Sequence, residues 1–300
     1  MDAKTLQAQF LELIRRTSCE MPQDMIRAVD KAWRKEKKDT TAKYALSVMR
    51  DNIKLADNLS QPLCQDTGTI VCYVDRPKWI TEREATRVFC RAVADATKKG
   101  YLRQNSVDSI TGKNSGNNLG PGSPVMHFHE VTAKAMTVRM MLKGGGSENV
   151  SVQYALPDNR LGAGRDLDGV RKCVLDSVHQ AQGKGCGPGI LGVCVGGDRA
   201  TGYVSAKEQF FRDLDDDNDD KTLAKLEKSL VKEANSLGIG PMGFGGGTTL
   251  FGIKMTARNR VPASFYVTVA YMCWAYRRNG FKLSESGRIT GWVYDQEGKR

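Results

Sequence analysis

Apolar residues at helical spacing dominate the start of the chain. They predict three helices, which are residues 4–16, a stretch that begins at Met21, and Thr40–Leu55. In the third of these helices, five residues are expected to face inward: Tyr44, Ala45, Val48, Met49 and Ile53. We therefore predict that residues 1–58 form a helical N-terminal layer.

Strand-like runs follow this layer and alternate with further helical patterns. The predicted strands are Thr69–Val74, Val125–Glu130, Ala135–Leu142, Ile190–Val195, Leu250–Ile253 and Phe265–Met272. The helical patterns between them are 81–97, 167–182, 203–212 and 221–236. Two short apolar runs near the end predict a hairpin tail at residues 280–300. The chain contains no internal repeat and no Pro/Ser-rich linker, so we expect one intertwined α/β (α+β) domain over residues 1–300, with the helical layer packed on a mixed sheet.

The charge balance is basic, with a formal net charge of +11. The Lys and Arg residues are scattered, the acidic run Asp213–Asp220 interrupts them, and no recognised nucleic-acid-binding module is present. We therefore expect an anionic small-molecule substrate and no nucleic-acid partner. No apolar run approaches the ~20 residues of a membrane span, and no signal-peptide pattern follows Met1. These features predict a cytoplasmic protein without membrane contact.

The eight cysteines fall into two groups according to their neighbours. Five lie in apolar helical or strand patterns, or just after a helix, and are interpreted as packing residues: Cys19, Cys72, Cys90, Cys173 and Cys194. The remaining three stand beside glycine, proline or clustered polar residues: Cys64, Cys186 and Cys273. Three separate thiolates could cap three irons of an iron–sulfur cubane and leave the fourth iron open for Lewis-acid chemistry. A zinc site is the weaker alternative, because there is no Cys-x-x-Cys pair and His127, His129 and His179 are the only histidines. The cysteine spacing carries no signature that decides between them.

Two polar or glycine-rich segments adjoin predicted strands. Cys64-Gln65-Asp66-Thr67-Gly68 precedes the first strand, where polar groups are costly unless they face a ligand. Lys143-Gly144-Gly145-Gly146 follows a later strand, and its backbone N–H groups could bind an anion or simply form a flexible turn. The long polar stretch Tyr101–Ser123 is predicted to be either disordered or functional.

Several motifs together resemble a known family. They are Cys64-Gln65-Asp66-Thr67-Gly68, Lys143-Gly144-Gly145-Gly146-Ser147-Glu148-Asn149, Gly238-Ile239-Gly240-Pro241 and Cys273-Trp274-Ala275. In this order they resemble class I iron–sulfur hydro-lyases, specifically the α subunit or N-terminal half of a class I fumarase or L-tartrate dehydratase. The similarity runs from about residue 40 to about residue 280.

The resemblance implies a lyase with a [4Fe-4S] cluster held by Cys64, Cys186 and Cys273. The open iron would bind a carboxylate and the hydroxyl of a small dicarboxylate, with fumarate and malate the first expectation. The same resemblance places five residues at the substrate: Gln65, Asp66, Arg103, Gly145 and Gly146. Asp66 would be a candidate proton donor to the leaving hydroxyl, and Arg103 would clamp a carboxylate. The two glycines would supply backbone contacts.

The resemblance also implies a partner. In this family the catalytic threonine and further substrate-binding residues lie in a β subunit or C-terminal domain, so we expect this chain alone to be inactive and to work as an α2β2 hetero-oligomer. One departure leaves the substrate open: Val261 stands where the family has a pocket histidine, next to Arg260, which could compensate. The alternatives are a dehydratase subunit for L-tartrate or a related hydroxydicarboxylate, and a non-catalytic iron–sulfur sensing subunit.

Overall fold

A computed structural model describes residues 2–294 and divides the chain into two compact units. The first unit is built from Met1–Gln23, Asp51–Gly145 and Ala275–Arg300, and the second from Asp24–Arg50 and Gly146–Trp274. Residues 295–300 of the predicted hairpin tail lie outside the described residues. Each unit therefore combines stretches that are distant in sequence. The single-domain interpretation stays a prediction.

Helices and strands alternate along most of the chain. The helices are α1 (Ala3–Cys19), α2 (Gln23–Lys35), α3 (Thr41–Leu59), α4 (Glu82–Lys98), α5 (Gly145–Asn149), α6 (Leu167–Ala181), α7 (Arg199–Glu208) and α8 (Lys221–Ser236). Short 3-10 turns lie at Gln209–Phe211 and Pro241–Gly243. The strands are β1 (Thr69–Arg76), β2 (Val125–Glu130), β3 (Met136–Lys143), β4 (Val152–Ala155), β5 (Gly189–Gly196), β6 (Leu250–Arg258), β7 (Tyr266–Met272), β8 (Arg278–Leu283) and β9 (Ile289–Trp292).

The first unit contains a five-stranded sheet of order β2-β1-β3-β8-β9. The β1–β2 pair is parallel and the other pairs are antiparallel. Helices α1 and α4 cover one face of this sheet with apolar side chains. Phe10 of α1 packs edge-on against Phe89 of α4 at 5.2 Å between ring centroids and also contacts Phe281 of β8. All three aromatic residues are completely buried, so the helices and the sheet share one core.

The second unit contains a four-stranded sheet of order β4-β7-β5-β6. Strands β5 and β6 are parallel, while β7 is antiparallel to both β4 and β5. Strand β5 is buried along its whole length, as expected for a central strand covered on both faces. Apolar residues of α6 and α8, such as Val174 and Leu230, pack with the sheet residues Val193 and Val269 in one core.

These sheets confirm the predicted α/β class, in which helices combine with mixed sheets. Within the described residues, no helix combines the length and the apolarity that crossing a membrane requires. Strand β2 begins and ends at the predicted residues. Strand β4 was not predicted, because four residues with polar Gln153 among them give too short an apolar pattern.

The predicted inward face of the third helix is correct for three residues and wrong for two. Ala45, Met49 and Ile53 are buried, whereas Tyr44 and Val48 are 70% and 49% exposed. Helix α3 carries apolar residues on two faces, so periodicity alone could not select the face that packs.

The predicted helix at 203–212 begins four residues earlier, at Arg199. Asp198 caps it by accepting hydrogen bonds from the N–H groups of Ala200 and Thr201, and the Thr201 hydroxyl completes a capping box. A capping carboxylate therefore set the start of this helix, rather than its apolar periodicity.

Candidate functional site

Asp66 is held by three N–H donors within the first unit. Its Oδ1 accepts from the Gly68 N–H at 2.8 Å and from Asn105 Nδ2 at 2.7 Å. Its Oδ2 accepts from the Gly145 N–H at 2.7 Å. Both carboxylate oxygens are therefore fixed, although Asp66 remains partly accessible to solvent. The N–H of Gly145, the second of the three glycines, therefore binds an anionic side chain of this same chain.

Gly68 lets β1 approach the end of β3. Its φ of +73° lies in the left-handed region, and a Cβ there would lie 2.5 Å from the Lys143 carbonyl carbon and 2.8 Å from the Gly144 nitrogen. Only glycine fits such a contact between two backbones. The close approach places Asp66, two residues before Gly68, beside Gly145.

Arg103 is fixed through its backbone. The Thr67 hydroxyl accepts from the Arg103 N–H at 2.9 Å and donates to the Arg103 carbonyl at 2.8 Å. Asn118, which is 2% exposed, also donates to that carbonyl at 2.8 Å. The Arg103 guanidinium itself is exposed and, among residues 2–294, has no hydrogen-bond or ion-pair partner. The backbone is rigidly placed while the cation stays free to bind an anion.

Three passages of the chain meet at one end of the five-stranded sheet. Strand β1 starts there after Cys64–Gly68, β3 ends there before Gly144 and Gly145, and β8 starts there after Arg277. The pairing of Thr69 with Lys143, and the hydrogen bond from the Leu142 N–H to the Arg277 carbonyl at 3.0 Å, fix this arrangement. The sheet thus brings Asp66 and Gly145 together and places Cys64 in the adjoining segment.

The remaining predicted site residues have less support from bonded contacts. Gln65 is exposed, as is Gly146, which lies in the short helix α5. Gly146 belongs to the second unit, whereas Gln65 belongs to the first. Their predicted substrate contacts stay predictions.

Cys186 and Cys273 lie close together in the second unit. The Trp274 N–H, next to Cys273, donates to the Cys186 carbonyl at 3.0 Å. Cys186 has a φ of +54°, unusual for a residue with a side chain. Burial, reinforced by the charges of Cys273 and Cys186, raises the pKa of the Tyr271 hydroxyl. That ring packs so tightly on the Cys186 loop that a Cβ at Gly185 would lie 2.5 Å from Tyr271 Cε1.

A second glycine-rich loop supports the Cys186 loop from within the same unit. Its Met242 N–H donates to the Gly187 carbonyl at 2.9 Å. Farther along the loop, the Gly247 and Thr248 N–H groups donate to Glu36 Oε1 at 2.8 and 3.1 Å. The loop that contains Gly238–Pro241 therefore holds the backbone next to Cys186 in place.

Comparison with known proteins identifies the family. A family model described as fumarate hydratase (Fumerase) matches residues 7–282. The chain belongs to the fumarate hydratase family. A Geobacillus stearothermophilus protein provisionally named fumarate hydratase class I is 49% identical over 298 residues, which is 98% of this chain and 58% of the relative. This chain thus spans little more than half of that relative.

Two further relatives carry the name of a subunit. A Methanocaldococcus jannaschii protein provisionally named L(+)-tartrate dehydratase subunit alpha is 32% identical over 273 residues, covering 89% of this chain and 94% of the relative. The L(+)-tartrate dehydratase subunit alpha of Escherichia coli (strain K12) is 29% identical over 275 residues, covering 90% of this chain and 87% of the relative. The predicted resemblance to class I fumarase and tartrate dehydratase α subunits is confirmed.

The other five cysteines of this fumarate hydratase family chain have environments typical of packing residues. All eight cysteines are free thiols. Burial raises the pKa of Cys19 to about 11 and that of Cys173 to about 12. Burial also raises the pKa values of Cys72, Cys90 and Cys194. A raised thiol pKa disfavours the thiolate form that metal ligation uses, which agrees with interpreting these five as packing residues.

The three predicted cysteine ligands have the chemistry that an iron–sulfur cluster uses. Within residues 2–294, no three His, Cys, Asp or Glu side chains come together in a group that could hold one metal ion. A cubane spreads its thiolate ligands over separate irons, so its ligands need not surround one point. Cys64 and Cys186 are half-buried in polar or glycine-rich loops, and soft thiolates are the ligands that such clusters use. The residues present therefore fit the group that the family resemblance implies.

Arg260, beside Val261, is occupied within its own loop. Its Nη1 donates to the carbonyls of Val261, Pro262 and Ser264 at 3.1–3.4 Å, and its guanidinium lies 4.4 Å above the Phe265 ring. Val261 is 63% exposed. The contacts of Arg260 thus close a surface turn, and they do not favour its acting as a substitute for the family histidine.

Sequence reasoning missed several residues that build the site. Asn105 binds Asp66 directly, Asn118 holds the Arg103 backbone, Glu36 holds the second glycine loop and Tyr271 packs on the Cys186 loop. The polar run Arg103-Gln104-Asn105 was the one signal for Asn105. Nothing in the sequence around Glu36 or Tyr271 indicated a role, because their partners lie far away along the chain.

Proposed function

We propose that this chain is the α-subunit-type part of a [4Fe-4S]-dependent hydro-lyase that reversibly hydrates a small dicarboxylate, with fumarate and malate as the first pair. The observation that carries the proposal is the Asp66 carboxylate, fixed by Gly68, Asn105 and Gly145 two residues after Cys64. A structural turn does not need a half-exposed carboxylate with three donors from three separate segments. The family match and the names of the relatives support the reaction class.

In this proposal Cys64, Cys186 and Cys273 would hold the cluster, which supplies an open iron as a Lewis acid for the departing hydroxyl. Asp66 stands at a fixed position from which its carboxyl group exchanges a proton with that hydroxyl. Gln65 is exposed beside it and would orient the substrate by hydrogen bonds through its amide. Exact positioning of such groups is a major part of catalytic power.

Arg103 would bind a substrate carboxylate. Its guanidinium is exposed, and Thr67 and Asn118 fix its backbone by hydrogen bonds. A planar guanidinium binds a carboxylate through two parallel hydrogen bonds, which gives both attraction and orientation. The exposed backbone at Gly145 and Gly146 would approach the substrate closely, since neither residue has a side chain in the way.

The proposal includes a partner. This chain spans 58% of the Geobacillus relative, and the tartrate dehydratase relatives are named as alpha subunits. We propose that a β subunit supplies the catalytic threonine and further substrate-binding residues, in an α2β2 assembly. The cytoplasm, where thiols stay reduced, would be its compartment.

L-tartrate or a related hydroxydicarboxylate is the second candidate substrate, favoured by the two alpha-subunit relatives and by Val261 in place of a histidine. A non-catalytic iron–sulfur sensing subunit is the candidate from another class. The fixed Asp66 and the free Arg103 guanidinium favour an enzyme, because a subunit that only holds a cluster needs neither group.

The test begins with anaerobic reconstitution of the wild-type chain and of Cys64→Ser, Cys186→Ser and Cys273→Ser with iron and sulfide. Cys90→Ser is the matched control, since Cys90 is a half-buried packing thiol. We expect about four irons per chain for wild type and the control, as one cubane requires, and loss of the cluster in the three variants. The holoenzyme with its partner is then assayed with fumarate, malate and both tartrate enantiomers.

The outcomes separate the candidates. Failure of the wild-type chain to take up iron, even with the partner present, overturns the hydro-lyase proposal. Uptake of four irons without turnover of any dicarboxylate by the assembled enzyme supports the sensing subunit. Turnover of tartrate with no turnover of fumarate selects the second substrate.

A further inference from the structure

Arg277 is a completely buried charged residue whose position packing alone does not explain. It is 0% exposed, and within residues 2–294 its Nε, Nη1 and Nη2 atoms have no hydrogen-bond partner. Buried arginines are normally paired, because an unpaired charge removed from water is strongly destabilising. Arginine cannot escape this cost by losing its proton.

Arg277 directly precedes strand β8, and its N–H donates to the Ala275 carbonyl at 2.8 Å. Phe281 packs in the core against Phe10 of α1. The Leu142 N–H donates to the Arg277 carbonyl, and Leu142 belongs to the same core. A neutral apolar residue would suit this position better if packing were its whole purpose.

The neighbouring Arg278 is equally buried, and its Nε and Nη1 atoms also lack a hydrogen-bond partner within residues 2–294, but its guanidinium contacts aromatic rings. Its guanidinium lies 4.5 Å from the Tyr276 ring centroid and 4.1 Å from that of Tyr294. Arg278 pairs in register with Met141. The two adjacent arginines therefore differ in that Arg278 contacts two aromatic rings, whereas none of the three Arg277 guanidinium nitrogens has a hydrogen-bond partner among the described residues.

Arg277 stands at the end of the sheet that adjoins the Asp66 segment. Strand β8 starts beside the end of β3, and that end leads to Gly145 and Asp66. Asp66 is not the counter-ion of Arg277, because its carboxylate accepts hydrogen bonds from Gly68, Asn105 and Gly145. Along the chain, Arg277 follows Cys273 by four residues.

We propose that Arg277 is the built-in counter-charge of the anionic iron–sulfur centre, a positioning residue that stabilises the cluster electrostatically without touching substrate. This inference rests on the proposed function, since it presumes the cluster. Complete burial favours a permanently bound anionic group over a substrate that must enter and leave. A fixed cation in a low-dielectric environment stabilises the added electron of a reduced cluster and the thiolates that hold it.

The test compares Arg277→Met, Arg277→Lys and Arg278→Met in the apo and the cluster-loaded chain. Without the cluster, Arg277→Met is expected to raise the melting temperature by roughly 2–4 °C, because it removes an uncompensated buried charge. With the cluster, the same variant is expected to lose iron to a chelator at least tenfold faster and to show a more negative reduction potential. Arg277→Lys, which keeps the charge, should restore the potential. Arg278→Met should lower the melting temperature and leave the potential unchanged.

A role toward the cluster predicts that Arg277→Met stabilises the apo chain but weakens iron retention in the loaded chain. A purely structural role would not produce these opposite effects. A fall in the apo melting temperature of Arg277→Met, or its failure to fold, would show that Arg277 has a protein partner and would overturn the inference. Unchanged iron retention and potential in a loaded Arg277→Met chain would do the same. If the wild-type chain binds no cluster, the proposed function itself fails, and that result is read from wild type alone.

Discussion

Replacement of Gly68 by alanine tests whether the approach of β1 to β3 sets the site. An alanine Cβ would lie 2.5 Å from the Lys143 carbonyl carbon, where ordinary contact begins at 3.4 Å. The obstructing atoms are backbone, so they cannot rotate away as a side chain would. The end of β1 or of β3 must therefore move by nearly 1 Å, and the hydrogen bond from Gly145 to Asp66 lies directly in the affected region.

Two contributions add up in the loss of stability that we expect for Gly68→Ala. Holding a residue with a Cβ at φ +73° costs about 1–2 kcal/mol. Separation of the strand ends weakens at least one further hydrogen bond, worth about 1 kcal/mol. We expect Gly68→Ala to lower the free energy of unfolding by about 2–4 kcal/mol, within the range for backbone strain at a special position.

Gly112→Ala is the matched control. Gly112 has a similar φ of +70°, but a Cβ there would meet nothing within 4 Å. Urea unfolding followed by circular dichroism gives both free energies, and the control should lose only the conformational part, about 1–2 kcal/mol. Equal losses for the two variants would refute the reasoning, because they would show that the backbone contact at Lys143 contributes nothing.

Three further predictions follow from bonded carboxylates. Asp66→Asn in the assembled enzyme should lower kcat at least a hundredfold in steady-state kinetics, and activity near wild type would remove Asp66 from the mechanism. The same variant should cost about 1 kcal/mol of stability, because its amide NH2 cannot replace the oxygen that accepts from the Gly145 N–H. Glu36→Ala should cost about 1–2 kcal/mol in urea unfolding, while Glu36→Gln, which keeps the acceptor oxygen, should cost less. Burial raises the pKa of Asp176, but hydrogen bonds from Arg160 and Tyr154 hold the net pKa below its ordinary 3.8. Asp176 therefore stabilises the fold above that pH and loses this effect as the pH falls, so the deficit of Asp176→Asn, about 1 kcal/mol or less at pH 7, should shrink towards pH 3.

The strands were the most predictable part of the fold, and the reason is local. Val125–Glu130 and Ile190–Val195 are runs of apolar or β-branched residues bounded by glycine, proline or polar residues, so their identity is evident within a few positions. The face that α3 buries was predicted only in part, with Tyr44 and Val48 placed wrongly, because apolar residues lie on two sides of that helix. Only the surface against which a helix packs selects between such faces, and that surface is formed by distant residues.

In the candidate site, too, residues with a local sequence signal could be predicted and their distant partners could not. Asp66 and Arg103 could be singled out because polar residues next to a buried strand, or in a long polar loop, call for an explanation. Their partners could not, since Asn105 is 39 positions and Gly145 is 79 positions away from Asp66. Sequence patterns report residue types and local periods, whereas a hydrogen bond between remote segments depends on the completed sheet.

The geometry of Asp66 also couples the site to folding. Its carboxylate has donors from its own turn, from the loop that contains Asn105, and from the segment after β3, so it is fixed only when β1 and β3 are paired. A substitution that disturbs the ladder, such as Gly68→Ala, should therefore reduce stability and activity together. A substitution in the loop, such as Asn105→Ala, removes one donor and leaves the ladder intact, so it should lower activity with little effect on stability. The contrast between these two variants separates the contribution of the sheet from that of the loop.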